Sequence, residues 1–532
     1  MNLPTQAAPT RPRVPRPHRP ARSTGPLRRR PWLIAFVGFF LLCAGWALAA
    51  PYDGSPDEME HIIRAAGVAQ GEIAPAPTAA NMGTGAVQHV PKSLVRDNCW
   101  MFHTDKSAAC AQPPGGDTTK ASVGTRAGRY NPVYYLVVGW PIALWPTMKG
   151  VLIGRLVSAA LTAGFLAAAA NAAVRWSRHR VMAAGVLIAV TPISVHLAGS
   201  INPNGLEISA AVALFSALVP LVLGTDTSVR RGAVVQVAVA GATLGTLRVL
   251  GPFWLVAIFG ILLVPIARTR LAALARSRPI RWTIAALLAA CALGAAWTVV
   301  MRASELGSVT HSTHLTTLQA LRYEVVTRTS GYFDEMVGVP SWLDTPMPGW
   351  TYTVWDITLG AVLLPAFALG TWADRRRLTL IPAAALAVAI VPDALDVNSY
   401  GFVSQGRYIL PLMVGLPILA AWLLGHRGVL QPAHGDKLTR WVAVVVLPLQ
   451  LVFLDLTMVR WQSGLTYAPD RLPLNPLHGS WHPMVGSATA LGAAVLGTCA
   501  LAFWVRSATR PGSTPVPDGA EPATAHPQPS LA

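Results

Sequence analysis

The sequence predicts an all-α integral membrane protein of about 12 transmembrane helices, with large first and fourth outer loops. Of its 532 residues, 52% are hydrophobic and 12% charged, about half the charged share of an ordinary soluble domain. Apolar runs such as Trp32–Ala50, Val151–Val174, Ile284–Met301 and Val485–Trp504 recur from end to end. As helices they cross a hydrocarbon core of ~30 Å with every backbone polar group bonded internally. Between the runs stand short basic clusters, the pattern that orients membrane helices.

Taken in order, residues 1–31 form a Pro/Arg-rich tail that reads as disordered and cytosolic. The apolar stretch that follows, with Ala47-Leu48-Ala49, also fits a secretory signal, but it is long enough to remain as an anchor. The expected spans are 32–50, 151–174, 181–198, 205–223, 232–248, 250–267, 282–301, 353–371, 378–392, 409–425, 441–457 and 485–505. With a cytosolic amino terminus, Arg28-Arg29-Arg30, Arg175 to Arg180, Arg268 to Arg281 and Arg375-Arg376-Arg377 all fall inside, together with most of the 42 Lys and Arg residues. Both termini are then cytosolic in a bacterial plasma membrane, and residues 506–532 form a second disordered tail. The apolar segment 131–146 would reverse the charge bias if it spanned. Its Pro141, Pro146, Trp140 and Trp145 suit a helix lying along the outer surface. The large outer loops are 51–150 and 302–352.

The net charge of +18 does not indicate a nucleic-acid partner. The basic residues flank spans, and no zinc-finger spacing or RNA-binding signature accompanies them. Walker, G-x-G-x-x-G and serine-hydrolase motifs are also absent from the sequence. Cys43, Cys291 and Cys499 lie in apolar runs and read as packing residues. Cys99 and Cys110 share the first outer loop, where an oxidising exterior favours a disulfide; a metal pair is the alternative, without further ligands at suitable spacing.

Polar chemistry concentrates just past the first span, in Pro51 to Arg64. Ser55-Pro56-Asp57-Glu58 reads as a helix start, with Ser55 as N-cap and Glu58 closing a capping box. Asp57, His61 and Arg64 then share one helix face. That face is either solvated or a carboxylate–imidazole pair able to hold a divalent cation (Mg or Mn) or to deprotonate a hydroxyl. Arg155, His196, Glu207, Arg248, Asp356 and Asp455 fall inside expected spans, all near outer ends. Such groups either snorkel to the interface or line an outward-opening polar site. Arg407 is the best phosphate ligand, because guanidinium matches phosphate oxygens in pairs. His311 and His314 read as solvated loop residues; Asp334, Glu335 and Asp344 serve loop solubility or an acceptor groove.

The block Pro-x-x-x-x-Pro-Asp-Glu-x-x-His-x-x-Arg-Ala resembles a bacterial polytopic membrane-protein family labelled a domain of unknown function. Thr191-Pro192 with Ser200 to Gly205, Phe333 to Pro348 with Trp342-Leu343-Asp344, and Gln405 to Pro411 extend the resemblance over roughly 32–500. Asn204 departs from the expected Asp. That family is similar in turn to the GT-C glycosyltransferases, whose acidic motif, interfacial helix and long second span correspond to Asp57-Glu58, 131–146 and 151–174. The resemblance implies a lipid-linked sugar donor (a polyprenyl-phosphate sugar) and a glycan or glycolipid acceptor outside the cytosol. It makes Asp57 the catalytic carboxylate, with Glu58 and His61 beside it, and accords with a donor-phosphate site of Arg407, Gln405, Tyr408 and Arg248. A transporter or flippase of lipid-linked sugars and a non-catalytic assembly protein are the alternatives.

Overall fold

The computed structural model describes residues 30–76, 85–177, 180–225, 230–305, 314–465 and 475–510. Residues 1–29, 511–532 and His311 lie outside these ranges. Helix α1 (Arg30–Ala49) leads into a first loop built from α2 (Glu58–Ala69), β1 (Ala86–Pro91), β2 (Lys120–Thr125) and α3 (Pro132–Leu144). The chain continues through α4 (Met148–Arg175), α5 (Val181–Ala189), α6 (Pro192–Ala198), α7 (Pro203–Leu223), α8 (Arg231–Leu247), α9 (Gly251–Leu263), α10 (Arg268–Arg276) and α11 (Arg278–Val300). A second outer segment holds α12 (Thr317–Tyr323), a π-helical turn and α13 (Thr329–Gly338). Then come α14 (Gly349–Leu369), α15 (Trp372–Tyr400), α16 (Gly406–Met413), α17 (Gly415–His426), α18 (Pro432–Ser463) and α19 (Ser487–Ala508).

Among the described residues, nine helical runs are long and apolar enough to cross a membrane: α1, α4, α7, α11, α14, α15, α16–α17 as one run, α18 and α19. A tenth candidate joins α5 and α6, which bend by 64° where Pro192 opens the second piece. The expected fifth and sixth spans are shorter than their apolar runs. Helix α8 stops where Arg248 turns extended, and α9 occupies 13 residues between Leu250 and Val264, a rise of only ~20 Å. Pro252 lies at the start of α9, whereas α15 continues through Pro382.

Helix faces left outside the core are apolar. On α11, Trp282, Leu288, Leu293, Val299 and Val300 are exposed, an unbroken surface that lipid tails cover and water would not. Inside, small residues bring α1 and α19 together. A Cβ on Gly497 would stand 2.5 Å from the Leu42 amide nitrogen, the close approach that holds membrane helices by packing alone.

The first loop contains more than helices. Strands β1 and β2 pair antiparallel, from Ala86 opposite Thr125 to Pro91 opposite Lys120. Helix α3 buries Tyr134, Tyr135, Val138 and Ile142 and exposes Val133, Leu136, Trp140 and Leu144, a two-sided apolar helix suited to an interface. It meets α2 at Gly139, where any side chain would collide with the Ala65 carbonyl oxygen, 2.3 Å from the Cβ position.

Candidate functional site

The connection from α1 to α2 is bonded at nearly every residue, and that bonding places two consecutive carboxylates in different surroundings. Asp53, rather than Ser55, caps α2: its Oδ1 accepts the Met59 N–H at 2.9 Å. Its Oδ2 accepts from Asn98 Nδ2, also at 2.9 Å. The buried Ser55 hydroxyl has no partner among the described residues. The capping box of the sequence reading is therefore replaced. The helix begins at Glu58, and Asp57 precedes it at φ 63°, in the left-handed region, making no side-chain cap bond. Non-glycine residues rarely adopt this conformation, and Asp and Asn tolerate it best.

Glu58 turns inward. Arg155 on α4 meets it from two nitrogens, Nε at 2.7 Å and Nη2 at 2.6 Å, with neither side chain exposed. Glu58 also accepts from the Ile201 and Gly54 amides. The remaining Arg155 donors reach the carbonyls of Ala50 and Pro51, at 2.8 and 2.6 Å. Every charged atom of this pair is engaged, which is the condition for burying charge without a large penalty.

Asp57 turns the other way. Its Oδ2 lies 2.6 Å from Arg407 Nη2; the Arg407 side chain is 2% exposed and that of Asp57 34%. Gln405 accepts from Arg407 Nε at 2.6 Å, the Tyr408 hydroxyl lies 3.3 Å from Nη2, and the Tyr408 ring lies beside the guanidinium. Arg248 packs against the same Tyr408 ring, 5.1 Å from its centroid, and pairs with Glu207 at 3.1 Å. Asn204 bridges the two arginines, donating to Glu207 and to the Arg407 carbonyl. Asn202 holds the Pro56 carbonyl from the far side, while Glu335 accepts the Gly406 N–H at 2.5 Å and fixes the start of α16. Burial works against charge on Asp57, yet the Arg407 guanidinium outweighs it and holds the carboxyl below its usual pKa.

His61 is buried, with Nδ1 2.8 Å from the Tyr135 hydroxyl. Burial pushes its imidazole down to about 3, against a smaller upward pull from Asp57. Asp57 and His61 each have one donor atom already engaged. Among the described residues no group of three His, Cys, Asp or Glu residues could hold a metal ion. The set fits a divalent cation poorly. Arg64 stays on the His61 side of α2, 5.8 Å from the Tyr135 ring, and binds the carbonyls of Glu72, Ile73 and Tyr130.

The other polar residues lie apart from this cluster. His196 packs between Trp46 and Trp461, and Asp344 pairs with Arg460. Asp356 and Asp455 lie within α14 and α18, and His314 and Phe333 are exposed. Cys99 and Cys110 are joined by a disulfide. Asp53, Asn202, Tyr130 and Tyr135 were not singled out from sequence. None of the four carried a local signal, since Asp53 reaches the Met59 amide six positions on, beyond ordinary N-cap spacing.

These features define a polytopic helical membrane protein with an arginine-rich polar cluster at the loop-side ends of its helices. The chain belongs to the family described as "Predicted membrane protein (DUF2142)", whose model matches residues 40–416. No curated protein matches it. Crystal structures of ArnT from Cupriavidus metallidurans resemble it at 14% identity. The one bound to undecaprenyl phosphate covers 90% of this chain and 77% of its own, at a TM-score of 0.44. The apo form covers 90% and 76%, at 0.43.

Proposed function

We propose that this protein is a membrane glycosyltransferase that moves a sugar from a polyprenyl-phosphate donor to an envelope glycan or glycolipid acceptor at the outer face. The observation that carries this reading is the partly open Asp57 carboxylate, 2.6 Å from a buried arginine, with a second arginine sharing the Tyr408 ring. The disulfide in the same loop supports an oxidising, non-cytosolic side.

The donor phosphate competes with Asp57 for Arg407, and guanidinium binds phosphate at least as well as carboxylate. Phosphate on Arg407 and Arg248 frees the Asp57 carboxylate to take the acceptor's hydroxyl proton. The acceptor oxygen then bonds to the anomeric carbon while the bond from that carbon to the phosphate oxygen breaks. The electron pair leaves with polyprenyl phosphate, whose charge the two arginines stabilise. Glu58 and Arg155 position the turn, and no step is routed through a metal.

A transporter of lipid-linked sugars is the second reading, favoured by the 64° break between α5 and α6, since broken helices serve transport sites. Deletion followed by rescue with wild type, Asp57→Asn or Arg407→Ala separates the two. The transferase predicts donor accumulating on the outer leaflet and neither variant restoring the glycan despite normal insertion. Full rescue by both removes the site. Donor trapped only on the cytosolic leaflet supports transport.

A further inference from the structure

A cavity of about 450 Å³ opens beside the 51–57 turn, and neither Asp57, Arg407, Tyr408 nor Arg248 lines it. Its apolar wall comes from the ends of three membrane runs: Leu48 in α1, Met148 and Leu152 in α4, and Met484 just before α19. Trp481 completes that wall, and the disulfide-closed segment contributes Trp100, Ala108 and Ala111. Because these are the loop-side ends of membrane helices, the cavity sits at headgroup depth.

Its polar wall carries two cations, Arg96 and Lys149, neither in an ion pair with a carboxylate among the described residues, although Asp117 lies close enough to Arg96 to feel its charge. Arg96 donates to the Pro113 and Val95 carbonyls at 3.4 and 3.2 Å. Lys149 Nζ stands 4.8 Å over the Trp145 ring. The acidic residues of the lining are Asp97, which is exposed, and Asp53, whose two oxygens already accept from Met59 and Asn98. The volume lies within the range of small-molecule sites, where apolar walls and a few convergent polar groups fix the ligand.

We propose that this cavity binds a phosphate-bearing anionic membrane lipid, its headgroup phosphate on Arg96 and Lys149 and its first acyl carbons on Leu48, Leu152, Trp481 and Met484. The site stands whether or not the protein transfers sugar. It also touches the catalytic turn: Asn98 lines the cavity and holds Asp53, which caps the helix following Asp57. A bound lipid therefore stiffens the 51–57 connection.

The test uses the full chain in neutral detergent, with short-chain phosphatidylglycerol, short-chain phosphatidylcholine and inorganic phosphate as probes. Retained lipid is read by native mass spectrometry and stability by tryptophan fluorescence. Wild type should keep one phosphatidylglycerol and melt several degrees higher, with at least a tenfold preference over phosphatidylcholine. Arg96→Gln/Lys149→Gln should lose most of that preference. Met484→Trp keeps both charges, sits at an exposed position and should weaken retention by filling the apolar wall. Equal binding of phosphatidylglycerol by wild type and both variants overturns the proposal. So does an equal shift with inorganic phosphate alone, which would assign the cations to a soluble anion.

Discussion

Asp57 and Glu58 are consecutive, and each meets an arginine from a distant helix. Glu58 and Arg155 are both wholly buried, and backbone amides and carbonyls complete their bonding. Asp57 and Arg407 are 2.6 Å apart, but the carboxylate stays about one-third open, with a left-handed backbone conformation behind it. Full enclosure makes the first pair a rivet between α2 and α4. Partial exposure gives the second a surface that a ligand can reach and compete for. Charge pairing alone does not distinguish scaffold from chemistry; the access left to one partner does.

The largest expected effect belongs to Asp57. Asp57→Asn should lower transfer by ~10²–10⁴-fold with normal insertion, measured with purified donor and acceptor, and melting should fall because the buried Arg407 loses its carboxylate partner. Equal losses in Asp57→Asn and Glu58→Gln, with both variants folded, would erase the distinction between the pairs. Next, Arg155→Leu should cost about 3–5 kcal/mol, because it leaves the Glu58 carboxylate buried and unpaired; detergent melting curves report this. Cys99→Ser/Cys110→Ser should cost about 3 kcal/mol for a loop of this length, loosening the wall that holds Asn98 and Asp53. Arg407→Lys keeps charge and loses the guanidinium fork that stabilises the departing phosphate, so kcat/KM for the donor should fall about tenfold.

A further expected effect is a pH dependence. His61 falls to about 3 when folded, from 6.5, so the unfolded chain takes up a proton that the native state refuses. Its stabilising contribution is complete above 6.5 and is lost as pH drops toward 3. Asp57 acts in the same direction at lower pH: its carboxyl is held below 3.8, so its contribution fades only as pH falls through that depressed value. Melting temperature should therefore decline between about pH 6.5 and 4, and His61→Gln should flatten the decline. An unchanged slope in that variant would remove His61 as its source.

Much of the architecture is legible because lipid imposes a coarse rule: long apolar runs become helices. The exceptions are backbone events. Pro192 breaks a run into α5 and α6, and the Arg248–Pro252 and Val264-Pro265 junctions shorten α8 and α9. The β1–β2 pair escaped notice because its strands are only six residues long within a polar loop, too short for the alternation of β2 to stand out. In the site, Asp57 and Arg407 stand out as motifs, but 350 positions separate them, and only the packing of α7 and α16 around the turn brings them together. The capping box failed because Asp57 is left-handed and the helix starts only at Glu58, whose carboxylate binds Arg155, 97 positions away, together with the Gly54 amide.

The left-handed backbone at residue 57 limits which replacements can be interpreted. Asparagine accepts that geometry almost as readily as aspartate, so its effects report on the missing charge. Alanine or a β-branched residue would add conformational strain of order 1 kcal/mol and could let the connection relax. A scan made only with alanine would mix a lost proton acceptor with a refolded turn, and it would overstate the chemistry of whichever residue happens to hold the rarer torsion.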